Sequence, residues 1–297
     1  MDKRRKKKFR PVFCSGAGIL FCIFLAGCAG SSLQNTPEPD RTPQQARRVV
    51  FIGLDGWGAA YLPRADMPVV KRMIREGASS VKVLNVLPTN SGPNWSSLFR
   101  GAPPEHNGAE NFPSIFSLLQ EQGRGKKAAF FYEWSGLEHI CGEDMADKRG
   151  NIETDMKTAR EIGAYIIKNK PDLTVIVFNE PDSTGHSERW GSKAYYAKLA
   201  ELDALIAVIE QAVRDAGIYH NTVFVLSADH GGILWGHGFN SPRQREIPLI
   251  IYGDGIKRDY AIPSPLSICD IAPTMALVLG LRPSPQWTGR PLGEIFE

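Results

Sequence analysis

Asp229 and His230 stand side by side just past the apolar run 222–228, a carboxylate and an imidazole where a buried strand is expected to end. Both groups offer lone pairs that an apolar interior leaves unsatisfied, so the pair suits a metal ion better than a core. The arrangement recurs twice. The run 49–54 leads into Asp55-Gly56, and the run 173–179 leads to Asp182 with His186 four residues on, while His237 follows the glycine-rich stretch after His230. Three Asp and three His are too many ligands for one ion and suit two, each with room for substrate or water. Two neighbouring cations can clamp the attacking and leaving oxygens of an in-line displacement at phosphorus, so phosphoryl transfer is the leading chemistry.

That chemistry needs a nucleophile near the ions. The segment 87–98, Leu-Pro-Thr-Asn-Ser-Gly-Pro-Asn-Trp-Ser-Ser-Leu, offers Ser91 where a strand gives way to a helix. At a helix N-terminus the free N–H groups and the helix dipole favour an anionic oxygen and an incoming phosphate. Judged alone, the segment reads as a cap in which Ser91, Asn90 or Asn94 serves equally well. Beside six metal-type ligands, a hydroxyl activated for attack is the better reading. Trp57, Trp95 and Thr89 lie close in sequence; an aromatic there could stack on a base or aryl group, with core packing the plainer role for each tryptophan.

The elements that must carry these residues alternate. Strand-like runs at 49–54, 81–87, 128–133, 174–179, 222–227 and 247–252 are interleaved with helical patterns at 67–76, 94–99, 155–168, 192–216 and 268–279. Such alternation predicts an α/β fold, a mostly parallel central sheet with helices on both faces, which binds ligands beyond the carboxyl ends of its strands. In the helix 192–216, Leu199, Leu202, Leu205, Ile206, Ile209 and Val213 form a core-facing stripe, and Asp203 reads as a structural acid.

The chain resembles the alkaline phosphatase superfamily and, within it, the type I phosphodiesterase and nucleotide pyrophosphatase branch. The likeness runs from about Val49 to the C-terminus: Leu-Asp-Gly at 54–56, Pro-Thr-Asn-Ser-Gly-Pro-Asn at 88–94, Pro-Glu at 104–105, Asp-Ser-Thr-Gly-His at 182–186, Ala-Asp-His-Gly-Gly at 228–232, Gly-His-Gly at 236–238, Ile-Pro-Leu-Ile-Ile at 247–251 and Asp-Ile-Ala-Pro-Thr at 270–274. The resemblance implies a minimal alkaline-phosphatase-like fold without a large cap domain. It implies two divalent cations, zinc by family habit, one on Asp182, His186 and His237 and the other on Asp55, Asp229 and His230 with the Ser91 oxygen. It makes Ser91 rather than Thr89 the nucleophile, passing through a phosphoseryl intermediate, and Asn111 the donor to a phosphate oxygen. Here the sequence departs from the pattern: in Pro104-Glu105-His106-Asn107-Gly108 the histidine is displaced by one position, so either His106 substitutes or that contact is absent.

Phosphodiester, nucleotide pyrophosphate and phosphomonoester substrates all remain open on this reading. A sulfatase shares the fold but requires Cys/Ser-x-Pro-x-Arg, and Ser91-Gly-Pro-Asn-Trp lacks the arginine. A phosphomutase needs an inserted domain for which the strands leave no room. A non-catalytic surface protein with a structural metal is disfavoured by the positioned hydroxyl, since structural zinc sites are closed.

Lys3, Arg4, Arg5, Lys6, Lys7, Lys8 and Arg10 precede an apolar stretch from Val12 to Ala26, the layout of a secretory leader. The ending Leu25-Ala26-Gly27-Cys28 resembles a bacterial lipoprotein cleavage box, implying a leader of residues 1–27, a lipid on Cys28, a tether of residues 28–47 and a catalytic domain of residues 48–297. The alternative is an uncleaved signal anchor. Both export the domain; the lipoprotein reading anchors it in the cell envelope, in the outer membrane by preference, because Ala29 and Gly30 do not look like an inner-membrane retention signal. The formal charge of +3 owes seven basic residues and one acid to the leader, so the remainder is about −3 and carries no basic stripe for nucleic acid. Once Cys14 and Cys22 leave with the leader and Cys28 is lipidated, Cys141 and Cys269 remain, either paired or separately buried.

Overall fold

Among the described residues the strands are β1 (Arg48–Leu54), β2 (Ala78–Leu84), β3 (Ala128–Tyr132), β4 (Lys148–Asn151), β5 (Leu173–Phe178), β6 (Thr222–Ser227), β7 (Glu246–Gly253), β8 (Tyr260–Ala261) and β9 (Leu266–Ser267). They form one sheet in the order β4–β3–β5–β1–β6–β7–β2–β8, with β9 beside β2. The pairs from β4 to β6 are all parallel; β7 runs antiparallel to both β6 and β2. In the computed structural model the described residues are 47–109, 112–141 and 146–297. They belong to a unit spanning Gln44–Glu297; the unit Met1–Pro43, which holds the expected leader, Cys28 and most of the tether, lies outside the described residues.

The central strands are continuous apolar runs because both their faces are covered. Every residue of β5 and β6 is buried, as are Val49 to Leu54 of β1. The helices are α1 (Pro68–Arg75), α2 (Ser91–Arg100), α3 (Pro104–Asn107), α4 (Ile115–Gln122), α5 (Glu138–Cys141), α6 (Met156–Asn169), α7 (Asp182–Glu188), α8 (Lys193–Asp215), α9 (Pro242–Arg245) and α10 (Ile271–Val278). Helices α1, α6 and α7 gather around α8, whereas α2 and α4 both pack against α10. Among the described residues no helix is long and apolar enough to cross a membrane.

Two features of this packing position the site. Parallel pairing sets Leu54 opposite Phe178 and Gly53 opposite Ser227, so β1, β5 and β6 end at one level and the residues after them share one rim. Helix α2 is seated against β1 by aromatic contacts: Phe51 meets Trp95 at 6.3 Å and Phe99 at 5.3 Å between ring centroids, and Trp95 stacks on Phe99 at 5.9 Å. Edge and stacked contacts of this kind add about 0.5–1.5 kcal/mol each beyond burial, and they hold the N-terminus of α2 over the end of β1.

Asp203 has the structural role expected of it. Its two carboxylate oxygens accept from the backbone N–H groups of Val69 and Val70, both at 2.9 Å, at the start of α1, where Met67 supplies no side-chain cap. Asp203→Ala would strand two helix N–H donors in a largely buried interface. A loss of about 2–3 kcal/mol is expected, read as a lower urea midpoint with unchanged metal content; a shift below a few tenths of a kcal/mol would remove this capping role.

Cys269 is a free, buried thiol. Burial pushes it up to about 11; it is a small buried residue here, and the side chain of Cys141, the other cysteine of the expected pair, lies outside the described residues.

Candidate active site and metal centre

The turn after β1 explains how residues so far apart in sequence converge. Gly56 adopts φ +73°, and a Cβ there would lie 2.8 Å from the Cα and Cβ of Asp182. Only glycine permits both the left-handed turn and the approach. The Gly56 N–H donates to Asp229 Oδ1 at 3.1 Å, and its carbonyl accepts from the Trp190 indole and the Tyr195 hydroxyl, both at 2.9 Å. Three strand ends are thereby tied at one residue.

All six expected ligands come together in two groups. Asp182, His186 and His237 offer ligand atoms within 4.8 Å of one another, and Asp55, Asp229 and His230 do the same. The groups adjoin, since the His230 and His237 rings stack at 3.8 Å. Asp182 and His186 occupy α7, whose helical turn sets residues four apart on one side. Ser91, the first residue of α2, joins the second group: its Oγ lies 3.1 Å from His230 Nε2 and 3.3 Å from Asp55 Oδ1.

The protonation of the site follows from its hydrogen bonds. Each histidine directs Nδ1 at a backbone carbonyl, His186 to Trp235 at 2.9 Å, His230 to Gly231 at 3.0 Å and His237 to Thr89 at 2.7 Å. A carbonyl can only accept, so Nδ1 carries the proton in all three and Nε2 turns a lone pair inward. Those lone pairs then face other lone pairs: His186 Nε2 is 3.1 Å from His237 Nε2, His230 Nε2 is 3.3 Å from Asp229 Oδ2, and His237 Nε2 is 3.6 Å from Asp182 Oδ1. Asp182 Oδ1 and Asp229 Oδ2 are buried without a hydrogen-bond donor. An array of inward-facing acceptors at these distances fits cations, and mixed nitrogen and oxygen donors are what zinc takes.

Burial, reinforced by the neighbouring carboxylates, pushes Asp55 and Asp182 far above the usual carboxylate range, and burial raises Asp229 to about 7. Burial lowers His230 and, with the charge of His230 adding, takes His237 down to about 4. The stability of the metal-free protein follows. Above about pH 4 the folded carboxylates keep protons that the unfolded chain releases, which lowers stability as pH rises. The histidines act in the opposite sense, but only below about pH 6.5, where the unfolded imidazoles are still charged. Chelator-treated protein should therefore lose thermal stability from about pH 6.5 upward, and added zinc, which takes the place of those protons, should restore it most at the alkaline end. Equal melting temperatures with and without chelator at pH 8.5 would contradict a cation site here.

Several contacts around these groups carry no signal in the sequence. The Trp95 indole donates to Asp55 Oδ2 at 2.9 Å, at the position where a sulfatase pattern would need arginine. Thr89 is fully buried; its Oγ1 accepts from Gly238 N–H at 2.7 Å while its carbonyl holds His237, so it fixes the loop that carries that ring. Asn85 donates to the Asp229 carbonyl at 3.1 Å and secures the end of β6. Trp57 and Trp95 are buried in the core, so neither is open to a substrate ring. His106 is exposed on α3, and Asn107 is committed to the Ala102 carbonyl at 2.6 Å. Asn111 lies outside the described residues.

Among the described residues, the nine-stranded α/β sheet with paired Asp/His groups beyond its strand ends has the alkaline-phosphatase-like fold. Residues 49–124 and 122–233 match the type I phosphodiesterase / nucleotide pyrophosphatase family, and the chain belongs to it. Murine ectonucleotide pyrophosphatase / phosphodiesterase 5, solved with AMP, superposes with a TM-score of 0.73 at 13% identity, covering 84% of this chain and all of that one. A 2-O GAG sulfatase superposes with a TM-score of 0.71 at 14% identity, covering 85% of this chain and 74% of its own. Among curated relatives, the bis(5'-adenosyl)-triphosphatase ENPP4 of Bos taurus is 20% identical over 242 residues, 72% of this chain and 51% of that protein. Arylsulfatase K of Danio rerio is 36% identical over 100 residues, 32% of this chain and 18% of its own. The chain thus spans about half the length of the first relative and under a fifth of the second.

Proposed function

We propose that this protein is a metal-dependent phosphodiesterase or nucleotide pyrophosphatase that works through a phosphoseryl intermediate. The observation that carries the reading is Ser91 Oγ at the N-terminus of α2, 3.1 Å from His230 Nε2, beside two groups of inward-facing metal ligands. Asp182, His186 and His237 would hold one divalent cation and Asp55, Asp229 and His230 the other, both zinc. Bound there, the cations would polarise the phosphoryl oxygens and offset the charge of three buried carboxylates.

The chain's own groups do the rest. Ser91 Oγ bonds to phosphorus as its proton departs, and the bond to the leaving oxygen breaks, releasing an alcohol or nucleotide after protonation. Water then cleaves the phosphoserine, returning a proton to Ser91 and freeing the phosphoryl product. The free N–H groups at the start of α2 favour the incoming anion, and Asn111 is the proposed donor to a non-bridging oxygen. Trp95 and Asn85 keep Asp55 and Asp229 in place through the sequence of events.

Exposed apolar side chains flank the mouth. Trp235 and Phe239 are 58% and 74% exposed on the loop that carries His237, and Trp134, 38% exposed, reaches over Gly92 next to Ser91. They favour a substrate with a planar or apolar group beyond the phosphoryl centre, which a diester has and inorganic phosphate lacks. The proposed setting is the cell envelope, with a lipid on Cys28 as the anchor.

The deciding experiment compares hydrolysis of bis-p-nitrophenyl phosphate and p-nitrophenyl phosphate by the zinc-loaded full chain. Faster diester turnover supports the reading, and a dominant monoester rate moves the protein to a phosphatase role. Failure to turn over either substrate with zinc bound would favour the non-catalytic alternative.

A further inference from the structure

A cavity apart from the six-ligand centre adjoins the turn at Ile233 and Leu234. It has a volume of about 460 Å³, and none of the six metal-type ligands lines it. Its floor includes the buried rings of Tyr61 and Trp190, and Arg64, Arg189 and Arg243 stand around its solvent-accessible edge. No acidic residue lines it, and among the described residues none of the three arginines forms an ion pair. Three guanidinium groups without a carboxylate repel one another, and a fold collects them at one cavity at a cost unless an anion joins them.

The three are also held in place. The Arg64 guanidinium lies over the Tyr196 ring at 5.4 Å and that of Arg189 over the Trp235 ring at 5.8 Å, which occupies their faces and leaves their N–H edges available. Arg243 adjoins the Tyr61 hydroxyl, which donates to the Gly232 carbonyl at 2.7 Å. Arg189 has φ +77° and Leu234, across the cavity, φ +56°, two left-handed residues that are not glycine. Trp190 N–H donates to the Leu234 carbonyl at 2.8 Å, so the strained positions brace each other. Strain of about 1–3 kcal/mol per residue persists where a neighbourhood over-determines it, commonly at ligand sites.

We infer that this cavity is a binding site for a phosphate-type oxyanion, separate from the six-ligand centre. Three planar N–H forks at one cavity match a tetrahedral, multiply charged anion better than a singly charged carboxylate or halide. The site is also placed to communicate with the centre. Trp190 forms their shared wall, 5.0 Å from the His186 ring and 6.0 Å from that of His237, and the residue after Leu234 supplies the carbonyl that orients His186. A free phosphate-type anion, the class to which the phosphomonoester product of diester hydrolysis belongs, and the distal phosphoryl group of a longer substrate are two sources of the same chemistry.

The test is calorimetric titration of the full chain with inorganic phosphate, with and without chelator, against sodium chloride of equal ionic strength. Chelator removes any phosphate held through metal at the six-ligand centre, so binding that survives it belongs to the cavity. Arg64→Gln/Arg243→Gln should weaken that surviving binding about tenfold or more while leaving metal content unchanged. Binding abolished by chelator, unaffected by the double substitution, or matched by chloride would overturn the inference. This readout does not depend on turnover and so stands or falls apart from the proposed hydrolysis. To separate the two sources, a simple diester is compared with a dinucleoside triphosphate: a KM raised by the double substitution only for the triphosphate assigns the cavity to the substrate's own distal phosphoryl group. Free phosphate altering turnover of both substrates, with that effect lost in the double variant, assigns it to the free anion.

Discussion

Ser91→Ala is expected to lower diester turnover by about three orders of magnitude or more, with metal content and melting temperature close to those of the parent protein. The side chain is half-buried and its contacts are with His230 Nε2 and Asp55 Oδ1, so removing one hydroxyl opens no core cavity. The helix that carries it is fixed from elsewhere. Trp95, Leu98 and Phe99 are fully buried, and Asn94 secures the turn before it by donating to the carbonyls of Pro88 and Asn90. Ser91→Thr retains the alcohol and should retain measurable turnover, which separates loss of the nucleophile from loss of local shape. Steady-state rates on bis-p-nitrophenyl phosphate together with zinc analysis check the point. An alanine variant within tenfold of the parent rate would exclude attack by Ser91.

The second large effect is expected of Asp229→Asn. Asp229 does two jobs with its two oxygens. Oδ1 accepts from the N–H groups of Gly56 and His230 at 3.1 and 2.8 Å, while Oδ2 is buried with no donor and faces His230 Nε2. An asparagine can keep the first job through its carbonyl oxygen, yet it brings no charge and turns an N–H group toward the metal ligands. Metal content should fall from two equivalents to one, and diester turnover should drop about 10³-fold, as removal of a ligand at a two-ion site implies. The fold should persist, because the hydrogen bonds that tie the ends of β1 and β6 remain. Asp229→Ala would remove both jobs and should destabilise as well. Retention of two zinc equivalents by the asparagine variant would refute the ligand assignment.

The elements most legible in the sequence are those whose neighbours are apolar on every side. Strands β1, β5, β6 and β7 begin and end within a residue or two of where their hydrophobic runs do, because burial on both faces leaves no room for polar residues. Strand β2 is found at Ala78–Leu84 and not at 81–87: its first residues, Ala-Ser-Ser, have no strand character of their own and are recruited by antiparallel pairing with β7. Strand β4, Lys148–Asn151, lies at the edge of the sheet and is defined by its ladder with β3 and not by its residues. Helix α7 holds Ser, Thr and Gly, poor helix formers, and forms over Asp182–Glu188 because α8 supports it.

The site divides in the same way. That Asp55, Asp182, Asp229, His186, His230 and His237 are ligand-type residues following apolar runs is a local property, visible in the chain because residue type and strand ends are both local. Their sorting into two groups, the inward turn of three Nε2 lone pairs and the partnership of Trp95 with Asp55 are not local. His186 is oriented by a carbonyl 49 residues away and His237 by one 148 residues away. Such contacts exist only once parallel strands have been brought into register and helices packed across them. The three arginines around one cavity depend on the same convergence, since Arg64, Arg189 and Arg243 are unrelated in sequence and meet only through the packing of Tyr61, Trp190 and the turn at Leu234. Residue chemistry was therefore decided by the sequence, and the distances that turn it into a site were decided by tertiary packing, because only packing can hold like charges and facing lone pairs together.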